Sequence, residues 1–258
     1  MPVRLLLVTF CALLLAAPLA TSETQNFWPG ETQTAVSLSY DDALDSQLEH
    51  AAPALKQYDI RASFYLTLTA ASLRTRLDEW RNLATSGHEL GNHTIYHACS
   101  GSLPDREWVT PLNDLDNRSP EEIRLEIITA NVFLQAIDGA TQRTFTPPCD
   151  DLIVGGENYL PLVAAEFVAI KGQNNGMPEG TTPLYIPVAS SGQELIDYVR
   201  RNTKDGMLLN ILFHGVGGDH SSVSAEAHAE LLQFLSENRD IYWTDTYINI
   251  MRYVNERQ

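Results

Sequence analysis

The stretch GHELGNHTIYH, Gly87 to His97, holds three of the chain's seven histidines, and two of them, His93 and His97, stand four residues apart. On a helix, positions i and i+4 share one face about a turn apart. Two imidazoles placed that way can grip one metal ion, zinc above all. The plainer alternative is that both hydrogen-bond at a helix start, and an isolated H-x-x-x-H does not separate the two. A metal site needs a third protein ligand, so other segments must supply one. SLSYDDALD offers adjacent carboxylates, Asp41 and Asp42. One aspartate can cap a helix; the second is left without a purpose. FTPPCDD is a proline-stiffened turn, and in NILFHGVGGDH an apolar run ends at His214 before glycines.

The surrounding elements place these residues. TAVSLSY (Thr34–Tyr40), ASFYLTL (Ala62–Leu68), HEL, RTFTPP, FVAIK, MLLNILFH and IYW read as strands. ALDSQLEHAAPALKQYD reads as a helix interrupted by Pro53, and ASLRTRLDEWRNLATSG as one amphipathic helix closed by Gly87. Ser119, Pro120 and Glu122 form a capping box that opens a helix running to Asp138. YLPLVAAE, GQELIDYVRRNT, SAEAHAELLQFLSEN and the C-terminal segment complete the helices. Repeated strand–helix units predict an α/β chain with a parallel sheet, in the form of a (β/α) barrel. Reacting groups in such barrels sit where strands end, which is where the motifs fall.

MPVRLLLVTFCALLLAAPLATS has one arginine, an apolar run and small residues, the pattern of a signal peptide. Residues 1–22 are read as that signal, cleaved after Ser22 or Ala20, and residues 23–258 as one catalytic domain. Cys11 falls too early for a lipoprotein cysteine, and no later stretch approaches membrane-spanning length. A secreted or periplasmic protein without a stable membrane anchor is expected. The net charge of −16 repels phosphate backbones and argues against a nucleic-acid partner. Cys99 and Cys149 remain in the mature chain as a candidate disulfide, with two buried free thiols as the alternative.

SYDDA, GHELGNHTIYH, FTPP and LFHGVGG, in this order, resemble the polysaccharide deacetylases, the NodB-homology domains of carbohydrate esterase family 4. The likeness runs from about Ala35 to Tyr253 and includes the C-terminal IYWTDTYINIMRYV. It implies a distorted (β/α) barrel and a divalent metal ion, zinc first, held by Asp42, His93 and His97. It implies Asp41 as general base and His214 as general acid, with an acetylated glycan as substrate. Asn92 and Thr94 would orient the ligands, and a backbone N–H at Tyr40–Ala43 or Pro148–Cys149 would meet the oxyanion. Two features depart from the family. Thr146 stands where an arginine usually precedes the prolines, and no aspartate of the fourth motif is evident around PLYIPVAS. Lys171 could replace the missing positive charge, or be an ordinary exposed lysine. With both cysteines beside motifs that converge on one barrel face, a Cys99–Cys149 bridge is expected. The sequons at Asn92 and Asn117 are read as unused.

The leading reading is N-deacetylation of a glycan. O-acetyl ester hydrolysis on a plant polysaccharide such as xylan uses the same parts. A carbohydrate-binding pseudoenzyme would explain the two departures but leave five chemical residues idle. A cyclic-amide hydrolase fits an exported chain less well.

Overall fold

The structure is a computed structural model that describes residues 27–258; the expected signal peptide and Cys11 lie outside them. Strand β1 (Thr34–Asp41) is its axis. Along one edge it pairs in parallel with β7 (Met207–Phe213), from Thr34 opposite Met207 to Tyr40 opposite Phe213. Its other edge is shared. β8 (Tyr242–Thr244) takes Thr34 to Val36, and β2 (Ser63–Leu66) takes Ser39 to Asp41. β3 (Glu89–Asn92) continues the sheet beyond β2, and β6 (Leu184–Tyr185) lies beyond β7. Single bridges Asn92–Phe145 and Phe145–Ile170 carry the curve further. This is the expected distorted α/β barrel in one domain.

All eight residues of β1 are buried, and their alternation separates two environments. Val36, Leu38 and Tyr40 enter the main apolar core with Phe64, Leu209, Ile211 and Phe213. Ser37 and Ser39 point the other way and accept hydrogen bonds from the buried Lys171 amine at 3.0 and 2.7 Å. The barrel interior is therefore partly polar. Glu89 anchors it, accepting from Ser63 Oγ, Thr144 Oγ1 and the backbone N–H groups of Thr144 and Ile248.

Helices cover the outside: α1 (Ala52–Gln57), α2 (Ala71–Thr75), α3 (Leu77–Thr85), α4 (Pro120–Asp138), α5 (Leu160–Val163), α6 (Gly192–Asn202), α7 (Ala225–Glu237) and α8 (Tyr247–Asn255). The Ser119–Glu122 capping box opens α4 as expected. Three local expectations need correction, and one element escaped the sequence. The segment from Ala71 to Thr85 is two helices, broken at Arg76, whose guanidinium bonds Asp45, Glu49 and Glu79. The turn before α1 is π-helical over Gln47–Ala51, and Pro53 sits at the start of α1. RTFTPP and FVAIK contribute isolated bridges in place of full strands. A hairpin of β4 (Ile153–Val154) and β5 (Glu157–Asn158) was not legible as strands, because each has only two residues. Its Gly155-Gly156 turn has positive φ at both positions, the requirement of a tight two-residue hairpin.

Candidate metal centre

β1 delivers Asp41 to the end of the sheet, and the chain then turns sharply. Asp42 and Ala43 take φ of 78° and 57°, left-handed values that cost energy for residues with a Cβ. Gln47 holds this turn. Its buried amide donates to the carbonyls of Asp41 and His214, the latter at 3.1 Å, and its oxygen accepts from Leu44 N–H. One side chain thus ties the ends of β1 and β7 together.

His93 and His97 do not lie on a helix. β3 stops at Asn92 and the chain enters a turn with φ of 65° at Thr94 and 53° at His97. Asn92 Oδ1 accepts the N–H of Thr94 at 2.7 Å, and Thr94 Oγ1 accepts that of His97 at 3.0 Å. Glu126 of α4 accepts the N–H groups of Ile95 and Tyr96. These side chains give the backbone bonds that compete with a helix. Asn92 and Thr94 therefore shape the loop and do not bond to the imidazoles themselves. Asn92 is wholly buried, which leaves no room for a glycan.

The His93 ring is oriented by a group the sequence did not flag: its Nδ1 lies 2.7 Å from the Thr146 carbonyl. Nδ1 carries the hydrogen of that bond, so the Nε2 lone pair faces the carboxylates. His93 Nε2 lies 3.3 Å and His97 Nε2 3.1 Å from Asp42 Oδ1. Ligand atoms of Asp42, His93 and His97 all fall within 4.8 Å of one another. Asp42 Oδ1 is buried, and neither imidazole approach to it has the angles of a hydrogen bond. Three donors facing one another without bonding among themselves fit a shared divalent ion. The field also suits a cation. Despite burial, Asp41 and Asp42 hold the His93 pKa up to about 9. Against its own burial, Asp42 is held well below the usual carboxylate range by His220, His93 and His97.

Asp41 is buried beside this trio, with Oδ2 3.7 Å from His93 Nε2 and Oδ1 unbonded. Burial, reinforced by Asp42, raises its pKa above the carboxylate range, while His93 and Lys171 pull it down. Lys171 is not an exposed lysine. It is 1 % exposed, and its amine is held by serine hydroxyls rather than by a carboxylate, 4.5 Å from the Tyr247 ring centre. Burial lowers its pKa. His214 closes β7 with Nε2 3.9 Å from Asp42 Oδ2. Its buried Nδ1 has no hydrogen-bond partner, and burial lowers its pKa. Among the described residues, no carboxylate bonds this nitrogen in place of the fourth-motif aspartate that the resemblance led one to expect. The PLYIPVAS segment instead forms β6 and an apolar cleft wall at Leu184 and Ile186.

Cys99 and Cys149 are joined as a disulfide with α-carbons 5.9 Å apart. Their sulfurs also cluster with His97, Cys99 Sγ lying 3.6 Å from His97 Nδ1, but bonded sulfurs are not thiolate ligands. Asp41, Asp42, His93, His97, Cys149, Lys171 and His214 line one cleft of about 970 Å³. Two further cleft residues escaped the sequence reading. Trp108, 49 % exposed, stands at the rim 6.0 Å from the His97 ring. His220 places Nε2 2.9 Å from Asp42 Oδ2. Its position in NILFHGVGGDH was the available signal, but no periodicity assigns a loop residue to a site.

The polysaccharide deacetylase family profile matches residues 30–152. The described chain has the fold of several solved structures. A peptidoglycan deacetylase from Bacillus subtilis superposes with a TM-score of 0.56 at 18 % identity, covering 87 % of this chain and 93 % of that one. The carbohydrate esterase family 4 domain of a multidomain xylanase from the Trinervitermes trinervoides hindgut metagenome gives 0.57 at 19 %, covering 87 % and 92 %. A pseudoenzyme of the same family from Bacillus anthracis gives 0.57 at 17 %, covering 86 % and 66 %. The N-terminal part of the chain, residues 30–152, thus matches the polysaccharide deacetylase family profile, and the described chain shares the fold of carbohydrate esterase family 4 structures. Among curated proteins, a gellan lyase from a Bacillus species is 22 % identical over 263 residues, covering 89 % of this chain. The chain spans about a tenth of that relative's length.

Proposed function

We propose that residues 23–258 form an exported, metal-dependent hydrolase that removes acetyl groups from a glycan, with the amide of an N-acetylated sugar as the scissile bond. The observation that carries this reading is the Asp42, His93 and His97 cluster in a cleft of about 970 Å³, flanked by Asp41 and His214. A zinc ion held by the trio would supply Lewis acidity to the acyl carbonyl and to the attacking water. Asp41 accepts the water's proton; its raised pKa makes it a stronger base than an ordinary aspartate. His214 protonates the leaving nitrogen as the carbon–nitrogen bond breaks, giving acetate and a free amine. Pro148 has no N–H, so at the third motif Cys149 is the backbone donor available to the oxyanion. Trp108 offers its exposed face to a sugar ring at the rim.

Support for an export route is the leader-like N-terminus; among the described residues, no helix is long and apolar enough to cross a membrane. A pseudoenzyme reading has one specific observation in its favour. The unpartnered Nδ1 of His214 leaves nothing to stabilise an imidazolium there except Asp42. Acetate release by the zinc-loaded protein decides between them, assayed on chitooligosaccharides, peptidoglycan, poly-N-acetylglucosamine and acetylated xylan. Release from an N-acetylated glycan, lost in His93→Ala together with the bound zinc, is expected. Release from xylan alone would move the reaction to the ester, and none from any substrate would favour the pseudoenzyme.

A further inference from the structure

The Asp42 carboxylate is approached from two sides. Its Oδ1 faces His93 and His97, and its Oδ2 lies 2.9 Å from His220 Nε2. That second contact has hydrogen-bond geometry, which the Oδ1 contacts lack. His220 is not among the residues whose ligand atoms gather within 4.8 Å. It meets the carboxylate at its other oxygen. We infer that His220 is a positioning residue for the metal centre, donating from Nε2 to Asp42 Oδ2 and so fixing which oxygen Asp42 presents to the ion. The inference rests on the metal-centre reading above.

The loop that carries His220 is built to hold it there. His220 O accepts the N–H of Gly215 at 3.1 Å. Across the loop's base, the Val223 N–H donates to the Gly215 carbonyl and the Val223 carbonyl accepts from Gly217. Val216 and Val223 are buried beneath it. Asp219 Oδ2 accepts the N–H of Ser46, and Ser46 Oγ accepts that of Val216, so the loop is tied to the segment that follows Asp42. Asp219 and Ser221, on either side of His220, take left-handed φ of 61° and 46°. Such conformations cost energy in residues with a Cβ and persist only where the surroundings impose them. A ligating carboxylate left free on its outer oxygen can rotate. A donor on that oxygen restricts the rotation and adds a charge-assisted bond.

The test is zinc affinity, measured by competition with a chromophoric chelator, on the wild-type protein and on His220→Ala, His220→Gln, His93→Ala and His97→Ala. Loss of a partner that orients a metal ligand typically weakens binding about 10- to 100-fold. His220→Ala is expected to show that loss. His220→Gln, whose amide can still donate, is expected to recover most of it. The cobalt-substituted protein supplies a second readout. His220→Ala should keep the wild-type visible band, whereas His97→Ala should change it. Wild-type zinc affinity in His220→Ala would overturn the inference, provided His93→Ala loses zinc. A cobalt band altered in His220→Ala as in His97→Ala would also overturn it, by making His220 a ligand. If His93→Ala keeps its zinc as well, the metal-centre reading itself fails.

Discussion

Asp41 and Asp42 are neighbours in sequence and both approach His93, but the rest of their surroundings differ. Asp42 presents Oδ1 to His93 and His97, while its Oδ2 is bonded to His220 and lies 3.9 Å from His214. Asp41 keeps an unbonded oxygen in a buried setting that raises its pKa. Asp41→Asn is therefore expected to retain zinc while turnover falls by about 10²–10⁴-fold, the usual cost of losing a general base. Zinc titration beside acetate release checks this, and near-normal turnover would remove Asp41 from that role. Gln47 makes a second expectation at this scale. Gln47→Leu would leave the Asp41 and His214 carbonyls without their shared donor, at a cost of roughly 1–3 kcal/mol. Urea unfolding reads that cost. Because the clamp joins the strands that carry the proposed base and acid, turnover should fall further than zinc affinity does. Unchanged turnover would show that the clamp serves the fold alone.

Elements that look independent along the chain are coupled through the Cys99–Cys149 disulfide. It joins the loop after His97 to the turn after Pro148, across a sequence separation of 50. A closed loop of that length stabilises the fold by roughly 4 kcal/mol in the chain-entropy account. The double variant Cys99→Ala, Cys149→Ala is expected to lose about 2–4 kcal/mol, seen as a lower midpoint in denaturant. Dithiothreitol should lower the wild-type midpoint toward that of the variant. Insensitivity of the wild type to reductant, with free thiols confirmed by alkylation, would mean the bridge adds nothing to stability. Legibility at this scale followed element length. β1, β7 and α4 were readable because a long run repeats its period enough times to show it. The break at Arg76 was not, since its cause is a set of carboxylates at Asp45, Glu49 and Glu79, two of them in another segment.

Across the whole molecule, buried histidines make the fold sensitive to acid. His228 is wholly buried against the Tyr40 hydroxyl at 2.6 Å, and burial lowers its pKa to about 3; burial lowers His88 to about 4. Both stay neutral in the folded state at pH values where the unfolded chain takes up a proton, near 6.5. The unfolded state then binds more protons, so stability is complete above that value and declines as pH falls toward the folded values. For His228 alone the loss between pH 7.5 and 4.5 is about 2–3 kcal/mol. Unfolding free energies of wild type and His228→Gln at both pH values isolate this contribution from that of other groups. The wild type should lose more than the variant by about that amount, and parallel losses would refute it.

Period and strand–helix alternation were enough for the α/β barrel; the roles proposed for Asp41, Asp42, His93, His97 and His214 came from the motifs' family resemblance, and the proposed leader from the N-terminal pattern. The Cys99–Cys149 pairing was expected only once the resemblance set both cysteines beside motifs on one barrel face, and the structure has it. Each of these depends on local pattern or on the rule that barrel chemistry gathers at strand ends. Tertiary structure decided the rest. The H-x-x-x-H spacing suggested a helical turn, but Asn92, Thr94 and Glu126 form a loop by competing for its N–H groups. Lys171 could have been a surface residue, until the barrel closed around it and gave its amine two serines from a strand more than a hundred residues away. Thr146 stands where the resemblance led one to expect an arginine, yet its carbonyl sets the His93 ring. His220 carried no local signature at all. Its place on Asp42 comes from loop bonds to Ser46, and contacts between segments so distant in sequence leave no trace in the period of either.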